Sequence, residues 1–289
     1  MTLVRTAELV ERARADGSAA LAFNVVTLEH AEAVTAAAEL SRRPAILQIS
    51  HNAVRYHGGL APIAAASALL AQGAAVELAL HLDHVEDLDL LRQATDAGFS
   101  SAMIDAGARS YPDNLALTRA AVEWAHEQGV WLEAELGHVG GKPGTPASAH
   151  AAGVRTDPAE ARSFVAETGV DALAVAVGSS HAMTSRTATL DLDLIGRLRA
   201  AVPVPLVLHG SSGVPDEQLR AAVSAGMTKI NIGTALNVGF TAAVRDVLGR
   251  SEAVDPRRYL QAGREAAATT AAALLTALVT PSGPARPAS

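Results

Sequence analysis

Eight short apolar runs, each reaching a residue able to do chemistry, constrain this chain more than any other feature. AFNVV carries Asn24, AILQIS ends at Ser50, VELALHLDH ends at Asp83 and His84, and SAMID ends at Asp105. WLEAELG carries Glu135, ALAVAVGSSH ends at His181, PLVLHG carries His209, and KINIGT carries Asn231 and Thr234. The runs read as continuously apolar, as strands buried on both faces of a parallel sheet do. Helical patterns lie between them, several opening with Asp or Pro and closing with Gly. This alternation predicts an α/β fold, a (β/α)8 TIM barrel. An open doubly wound sheet needs no eighth strand, and no G-x-G-x-x-G follows the first run. In a parallel barrel the carboxyl ends of the strands share one face, and that face is the active site.

Composition narrows the function classes. With 289 residues, 49% of them hydrophobic, the chain can fill one large core without a second domain. We expect one domain over residues 1–278 and a disordered tail at 279–289. The net charge is −7 and no Lys/Arg cluster tracks a phosphate backbone, so nucleic acid is not the expected partner. There are no cysteines, so a metal site must use His, Asp or Glu. Absence of cysteine fits a cytoplasmic protein. No signal-peptide core or membrane-length apolar run is present, and no membrane partner is expected. The long C-terminal helical pattern from Tyr259 is read either as closing the barrel bottom or as part of a dimer interface. The Gly-, Pro- and Ala-rich stretch between Glu135 and Asp157 reads as a mobile lid or a disordered segment.

Three histidines stand apart. His84, His181 and His209 follow the third, sixth and seventh runs, whereas His30, His51, His57 and His126 read as ordinary hydrogen-bonding residues. Three imidazoles at a barrel mouth, with a fourth position open, match a catalytic zinc site. His81, two residues before Asp83, points to the same side of its strand and reads as a supporting residue. Asp83 is placed either for general acid–base work or to orient a histidine. Asp105 and Glu135 can form an alternate metal position or hold the ligands by hydrogen bonds.

The loops after the last two strands are GSSG and NIGT. Barrels often bind phosphate there, through backbone N–H groups and hydroxyls. Gly210 and Gly213 permit the turn, and Ser212 and Thr234 supply donors. Together these loops predict a phosphorylated substrate.

The motifs AFNVVTLEHAEAV, PAILQIS, HLDH, MID, EAELGHVGG, TGVDALAVAVGSSH, PLVLHGSSGVP and KINIGT resemble those of the class II, zinc-dependent fructose- and tagatose-bisphosphate aldolases. The resemblance runs from about residue 20 to residue 240. It implies that His84, His181 and His209 bind Zn²⁺, with Asp105 and Glu135 around an alternate metal position. Asp83 is implied as the acid/base at the cleaved bond. Asn231 would contact the triose, with its phosphate on Ser212, Thr234 and the neighbouring Gly210, Ser211 and Gly233. Asn24 and Ser50 would line the other half of the pocket. A monovalent cation near the phosphate site is also implied. So is a homodimer or homotetramer. The implied reaction is reversible aldol cleavage of a phosphorylated ketose to dihydroxyacetone phosphate, or a close analogue, and an aldehyde.

Four positions depart from the family pattern. The loop glutamate expected after Gly-Gly is replaced by Lys142, Pro143 and Gly144; His138 and His150 are the nearest groups able to substitute. The glycine after the sixth-strand histidine is Ala182, and the usual tyrosine and lysine give way to MTSRT, which leaves Arg186 as the candidate phosphate cation. The glycine pair after His209 is Gly210-Ser211. The Gly-Ser after MID is Ala106-Gly107. These changes predict a divergent aldolase whose preferred substrate is not fructose 1,6-bisphosphate. Two other readings compete: a zinc hydrolase on the same barrel and a non-catalytic sugar-phosphate-binding subunit. The first lacks His-x-His after the first strand, and the second would be expected to lose metal ligands that are all present here.

Overall fold

The computed structural model describes residues 2–137 and 155–279. Eight parallel strands close into a barrel in chain order, the TIM-barrel topology. They are β1 (Ala20–Asn24), β2 (Ala45–Ser50), β3 (Leu78–Val85), β4 (Ser101–Ile104), β5 (Trp131–Leu136), β6 (Ala172–Val175), β7 (Leu206–Leu208) and β8 (Met227–Ile232). The helices are α1 (Thr6–Asp16), α2 (Leu28–Ser41), α3 (His51–His57), α4 (Ala61–Gly73), α5 (Leu88–Arg92) and α6 (Tyr111–Glu127). They continue as α7 (Pro158–Thr168), α8 (Leu192–Ala201), α9 (Asp216–Ala225), α10 (Thr234–Arg250) and α11 (Pro256–Leu278). Among the described residues no helix is long and apolar enough to cross a membrane.

Local chemistry places the helix starts. The side chains of Asp87, Asp157 and Asp191 each accept from backbone N–H groups in the first turn of α5, α7 and α8, satisfying donors that have no partner within the helix. Ser50 does the same for α3, its Oγ accepting from Ala53 N at 3.2 Å.

Side chains alternate across each strand, so every second residue points into the barrel. The lower interior is apolar: Ala20, Ala22, Ile46, Ala79, Trp131, Ala172, Ala174 and Val207 pack with Leu9, Val10 and Ala13 of α1. Helix α1 therefore forms the barrel floor. Helix α11 lies in the outer layer against α10 and α2, which corrects the reading that it closes the bottom. The outward strand faces join the helices in a second, larger apolar cluster.

Helices α3 and α10 are additions to the sequence reading. In α10 only Leu236 is buried, so it shows no wide apolar stripe to read. The supposed lid at 138–154, with Lys142, Pro143, Gly144, His138 and His150, lies outside the described residues. So do residues 280–289 of the expected tail. The far end of that loop is anchored. Buried Thr156 donates its hydroxyl to Leu136 O at 2.6 Å and accepts from Ala176 N at 2.8 Å.

Candidate active site at the barrel mouth

The inward positions change character toward the carboxyl ends. Above the apolar floor come Gln48, His81, Glu133, His209 and Lys229, all fully buried. Asn24, Ser50, Asp83, Asp105, Glu135 and Asn231 complete the mouth by the same two-residue alternation.

His84, His181 and His209 come together as the sequence predicts. Their ring centroids lie 4.9 to 5.9 Å apart. One nitrogen from each falls within 4.8 Å of the other two. Nitrogen donors so arranged, with a carboxylate beside them, suit a divalent transition metal.

Hydrogen bonds orient two of these rings. His84 Nδ1 is 2.7 Å from Asp105 Oδ2, which leaves Nε2 as its ligand atom. His209 Nε2 is 2.8 Å from Glu133 Oε1, which leaves Nδ1. Glu135 Oε2 lies 3.0 Å from that Nδ1. Of the two alternatives for Asp105 and Glu135, the structure places both against histidine nitrogens; the converging donor group consists of the three imidazoles. Such carboxylate–histidine pairs fix tautomer and ring orientation.

Asp83 is 2% exposed. Its Oδ2 lies 3.8 Å from His84 Nε2, and its Oδ1 has no hydrogen-bond partner among the described residues. It thus stands beside the metal-binding group with an oxygen to spare. That His84 shares this side is the work of a register irregularity between Leu82 and Val85. His84 adopts φ 51° there, a left-handed conformation unusual for a residue with a side chain.

The buried layer beneath is strongly coupled. Burial alone would lower the His209 pKa, but its hydrogen bonds to Glu133 and Glu135 push it up to about 9. Burial alone would raise that of Glu133. Lys229 and the His209 hydrogen bond outweigh it and hold the carboxyl well below the usual range. Burial drives His81 the other way, well below an ordinary histidine, and Lys229 adds to this. His81 binds Ser101 Oγ through Nδ1 at 2.8 Å, as befits a supporting residue.

The expected phosphate loops divide. Gly210, at φ 64°, follows β7, and a Cβ there would lie 2.6 Å from the Ser180 carbonyl. Only glycine lets the β7 loop approach the segment leading to His181. Gly213 serves close packing instead, since its Cβ would meet Met183 at 2.5 Å. Ser211 is buried and donates to Asn231 O at 2.5 Å. Its hydroxyl ties two strand ends together. Ser212 Oγ accepts from Ala235 N at 3.0 Å, while Gly233 and Thr234 begin α10. A Cβ on Gly233 would lie 2.9 Å from Asn24 Oδ1, so the β8 loop runs close over Asn24. Arg186 is engaged elsewhere. Its guanidinium donates to Val214 O at 2.6 and 3.0 Å and pairs with Asp216. Ala182, where the family pattern has glycine, adopts a left-handed conformation at φ 58°. Beside these loops a cavity of about 350 Å³ is bounded by Met183, Arg186, Ser212, Val238 and Leu274.

The other histidines are hydrogen-bonding residues. His30 bridges Thr27 and Asn237, His57 donates to Val26 O, and His126 meets Asp171. His51 Nδ1 accepts from Glu86 N at 3.3 Å. Sequence reasoning missed Gln48, Glu133 and Lys229. Their signal was available: each stands two residues before a mouth residue in its own strand.

Comparison with known proteins agrees with this geometry. Residues 4–281 match the model of the family described as fructose-bisphosphate aldolase class-II. The YdjI aldolase of Escherichia coli K12 shares 30% identity over 96% of this chain and 97% of its own, with a TM-score of 0.83. A Coccidioides immitis protein described as a fructose-1,6-bisphosphate aldolase shares 30% over 95% of this chain and 96% of its own, with a TM-score of 0.84. The fructose-bisphosphate aldolase of Campylobacter jejuni, at 24% identity, covers 96% of this chain and 95% of its own. Its TM-score of 0.79 shows the shared fold.

Proposed function

The chain belongs to the class II fructose-bisphosphate aldolase family, and from that premise we propose that it is a zinc-dependent lyase cleaving a phosphorylated ketose other than fructose 1,6-bisphosphate. The observation that carries the reading is the histidine triad with Asp83 beside it, buried and with one oxygen that has no hydrogen-bond partner among the described residues. A binding subunit does not require that carboxylate.

His84 Nε2, His209 Nδ1 and His181 would hold the zinc, with Asp105 and Glu133 setting the first two rings. The bound ion supplies Lewis-acid polarisation of the ketose carbonyl. The chain's own residues do the rest. Asp83 takes the proton from the hydroxyl at the cleaved bond and returns it in the condensation direction. Asn231 donates a hydrogen bond to an oxygen of the three-carbon half. Ser212, Thr234 and the backbone at Gly210 and Gly233 hold the phosphate. Asn24 and Ser50 face the aldehyde half.

The substrate clause rests on the β7 and β8 loops. The one cation among the described residues of the neighbouring cavity, Arg186, is neutralised by Asp216. Met183 lies against Gly213 in the MTSRT segment, which lacks the family's lysine. Among the described residues of that cavity, a phosphate seated here would rely on N–H and O–H donors.

The test is a zinc-loaded preparation assayed against a panel of ketose phosphates. Faster cleavage of another ketose phosphate than of fructose 1,6-bisphosphate is expected. Cleavage of fructose 1,6-bisphosphate at the highest rate would end the substrate proposal, and cleavage of none would end the lyase reading. We also propose a cytoplasmic homo-oligomer, checked by light scattering of the purified protein.

A further inference from the structure

Lys229 is one of two lysines in the chain and is fully buried inside the barrel. Its Nζ donates to Asn231 Oδ1 at 2.6 Å, to Glu133 Oε2 at 2.9 Å and to Gln48 Oε1 at 3.4 Å. An ammonium has three N–H donors and no acceptor. Each contact therefore has only one chemical sense: an oxygen must face the lysine.

That constraint orients two amides. Asn231 turns Oδ1 down to Lys229, so its Nδ2 points away. Gln48 gives its oxygen to Lys229, so its Nε2 donates, and it does so to Asn24 Oδ1 at 3.3 Å. The Asn24 Nδ2 is in turn directed away from Gln48. The third arm reaches the metal-binding group, because the carboxylate held by Lys229 also binds His209 Nε2 at 2.8 Å.

We propose that Lys229 is a positioning residue that sets the hydrogen-bond polarity of the whole pocket. It makes Asn231 and Asn24 present donors, and through Glu133 it fixes the tautomer of His209. Asn231 Nδ2 is the consequence. It is a buried donor with no hydrogen-bond partner among the described residues, and an open buried donor is costly until an acceptor arrives. The pocket is thus built in advance for a ligand oxygen bearing lone pairs or negative charge. A donor already aimed needs no reorganisation when that oxygen binds. That the oxygen belongs to a ketose or triose rests on the aldolase reading; the orientation of the amides does not.

The test uses metal-loaded wild type, Asn231→Asp, Lys229→Met and their combination. Thermal midpoints are measured, and dihydroxyacetone phosphate is titrated by calorimetry. Asn231→Asp keeps an oxygen on Lys229 and puts a carboxylate oxygen where the open donor stood, its added charge held by Lys229. Its midpoint should not fall below the wild-type value, while affinity falls roughly 10- to 100-fold. Lys229→Met should lose a similar factor, and the combination little more than either alone, because one interaction is being removed twice. Losses that multiply would overturn the proposal. So would an Asn231→Asp midpoint well below wild type, which would mean that the amide nitrogen has a partner in the free protein. If Lys229→Met does not fold, the Asn231→Asp midpoint and affinity still decide. Wild type that fails to bind dihydroxyacetone phosphate, together with an Asn231→Asp midpoint no lower than wild type, would remove the aldolase reading and support the orientation.

Discussion

Asp83 and His84 are consecutive, yet both face the barrel mouth. In a regular strand they would point to opposite faces. The irregularity between Leu82 and Val85 and the left-handed φ of His84 remove that conflict. Asp83 Oδ2 consequently stands 3.8 Å from the nitrogen of His84 that faces the metal-binding group. The proposed acid/base and a proposed metal ligand are thereby set side by side.

Their division of labour can be tested. Asp83→Asn should retain bound zinc, because the three imidazoles are untouched. It should lose carbon–carbon cleavage by about 10²- to 10⁴-fold, the usual weight of a positioned general acid/base. Metal analysis and the cleavage assay on one preparation check both halves. Substantial residual activity would remove Asp83 from that role.

His209→Ala should lower zinc affinity sharply. It deletes one of three ligands and leaves Glu133 without the hydrogen bond it makes at 2.8 Å. Competition with a chromophoric chelator measures the change. Wild-type occupancy in the variant would exclude His209 from the ligand set.

The metal-free protein should show a pH-dependent stability with a defined sign. His209 is raised from 6.5 to about 9, so its contribution is complete below about 6.5 and is lost as pH climbs through about 9. Glu133 is held below its ordinary 4.5, so its contribution is present above that value and lost as pH falls. Chelator-treated protein should therefore lose stability from neutral toward alkaline pH. Zinc-loaded protein should not show that loss from His209, because the metal replaces the proton on Nδ1. Denaturant midpoints across this range, with and without zinc, check the difference. Identical alkaline profiles would contradict it.

Ala182→Gly should stabilise the fold. Ala182 holds φ 58°, a conformation that costs a residue with a Cβ on the order of 1–2 kcal/mol. Glycine removes that strain but adds freedom to the unfolded chain, so the expected net gain is about 0.5–1 kcal/mol. Urea denaturation would reveal it, and a destabilised variant would show that the Ala182 methyl group is needed for packing.

Gly210→Ala should do the opposite. The added methyl meets the Ser180 carbonyl at 2.6 Å while φ stays at 64°. Relief requires moving either the His181 segment or the β7 end bearing His209. We expect loss of metal affinity as well as stability, read by the same chelator competition. Unchanged affinity would show that the two segments are less tightly joined than their spacing indicates.

Much of this site was legible in the strand runs. Apolar segments with polar ends announced the barrel, and His84, His181, His209 and Asp83 were visible as its mouth. Of the polar layer beneath only His81 was legible, although Gln48, Glu133 and Lys229 likewise precede Ser50, Glu135 and Asn231 by two residues each. A lysine or glutamate in a core strand looks like a pattern error until its partner is known, and Glu133 and Lys229 are 96 residues apart. The partner of Arg186 was hidden for the same reason. The charge of the arginine was evident, but its engagement with Asp216 depends on a contact across two loops.

The order of apolar and polar residues along the chain determined the barrel, because burial on both faces of a strand and the two-residue side-chain period are local properties. Which backbone group each loop hydroxyl meets was decided by tertiary contact alone. Ser211 and Ser212 are neighbours, yet one closes on Asn231 O and the other on Ala235 N. The same holds for the side of each amide that faces the pocket. The direction of a hydrogen bond belongs to the pair, and the partners here meet only when the barrel closes.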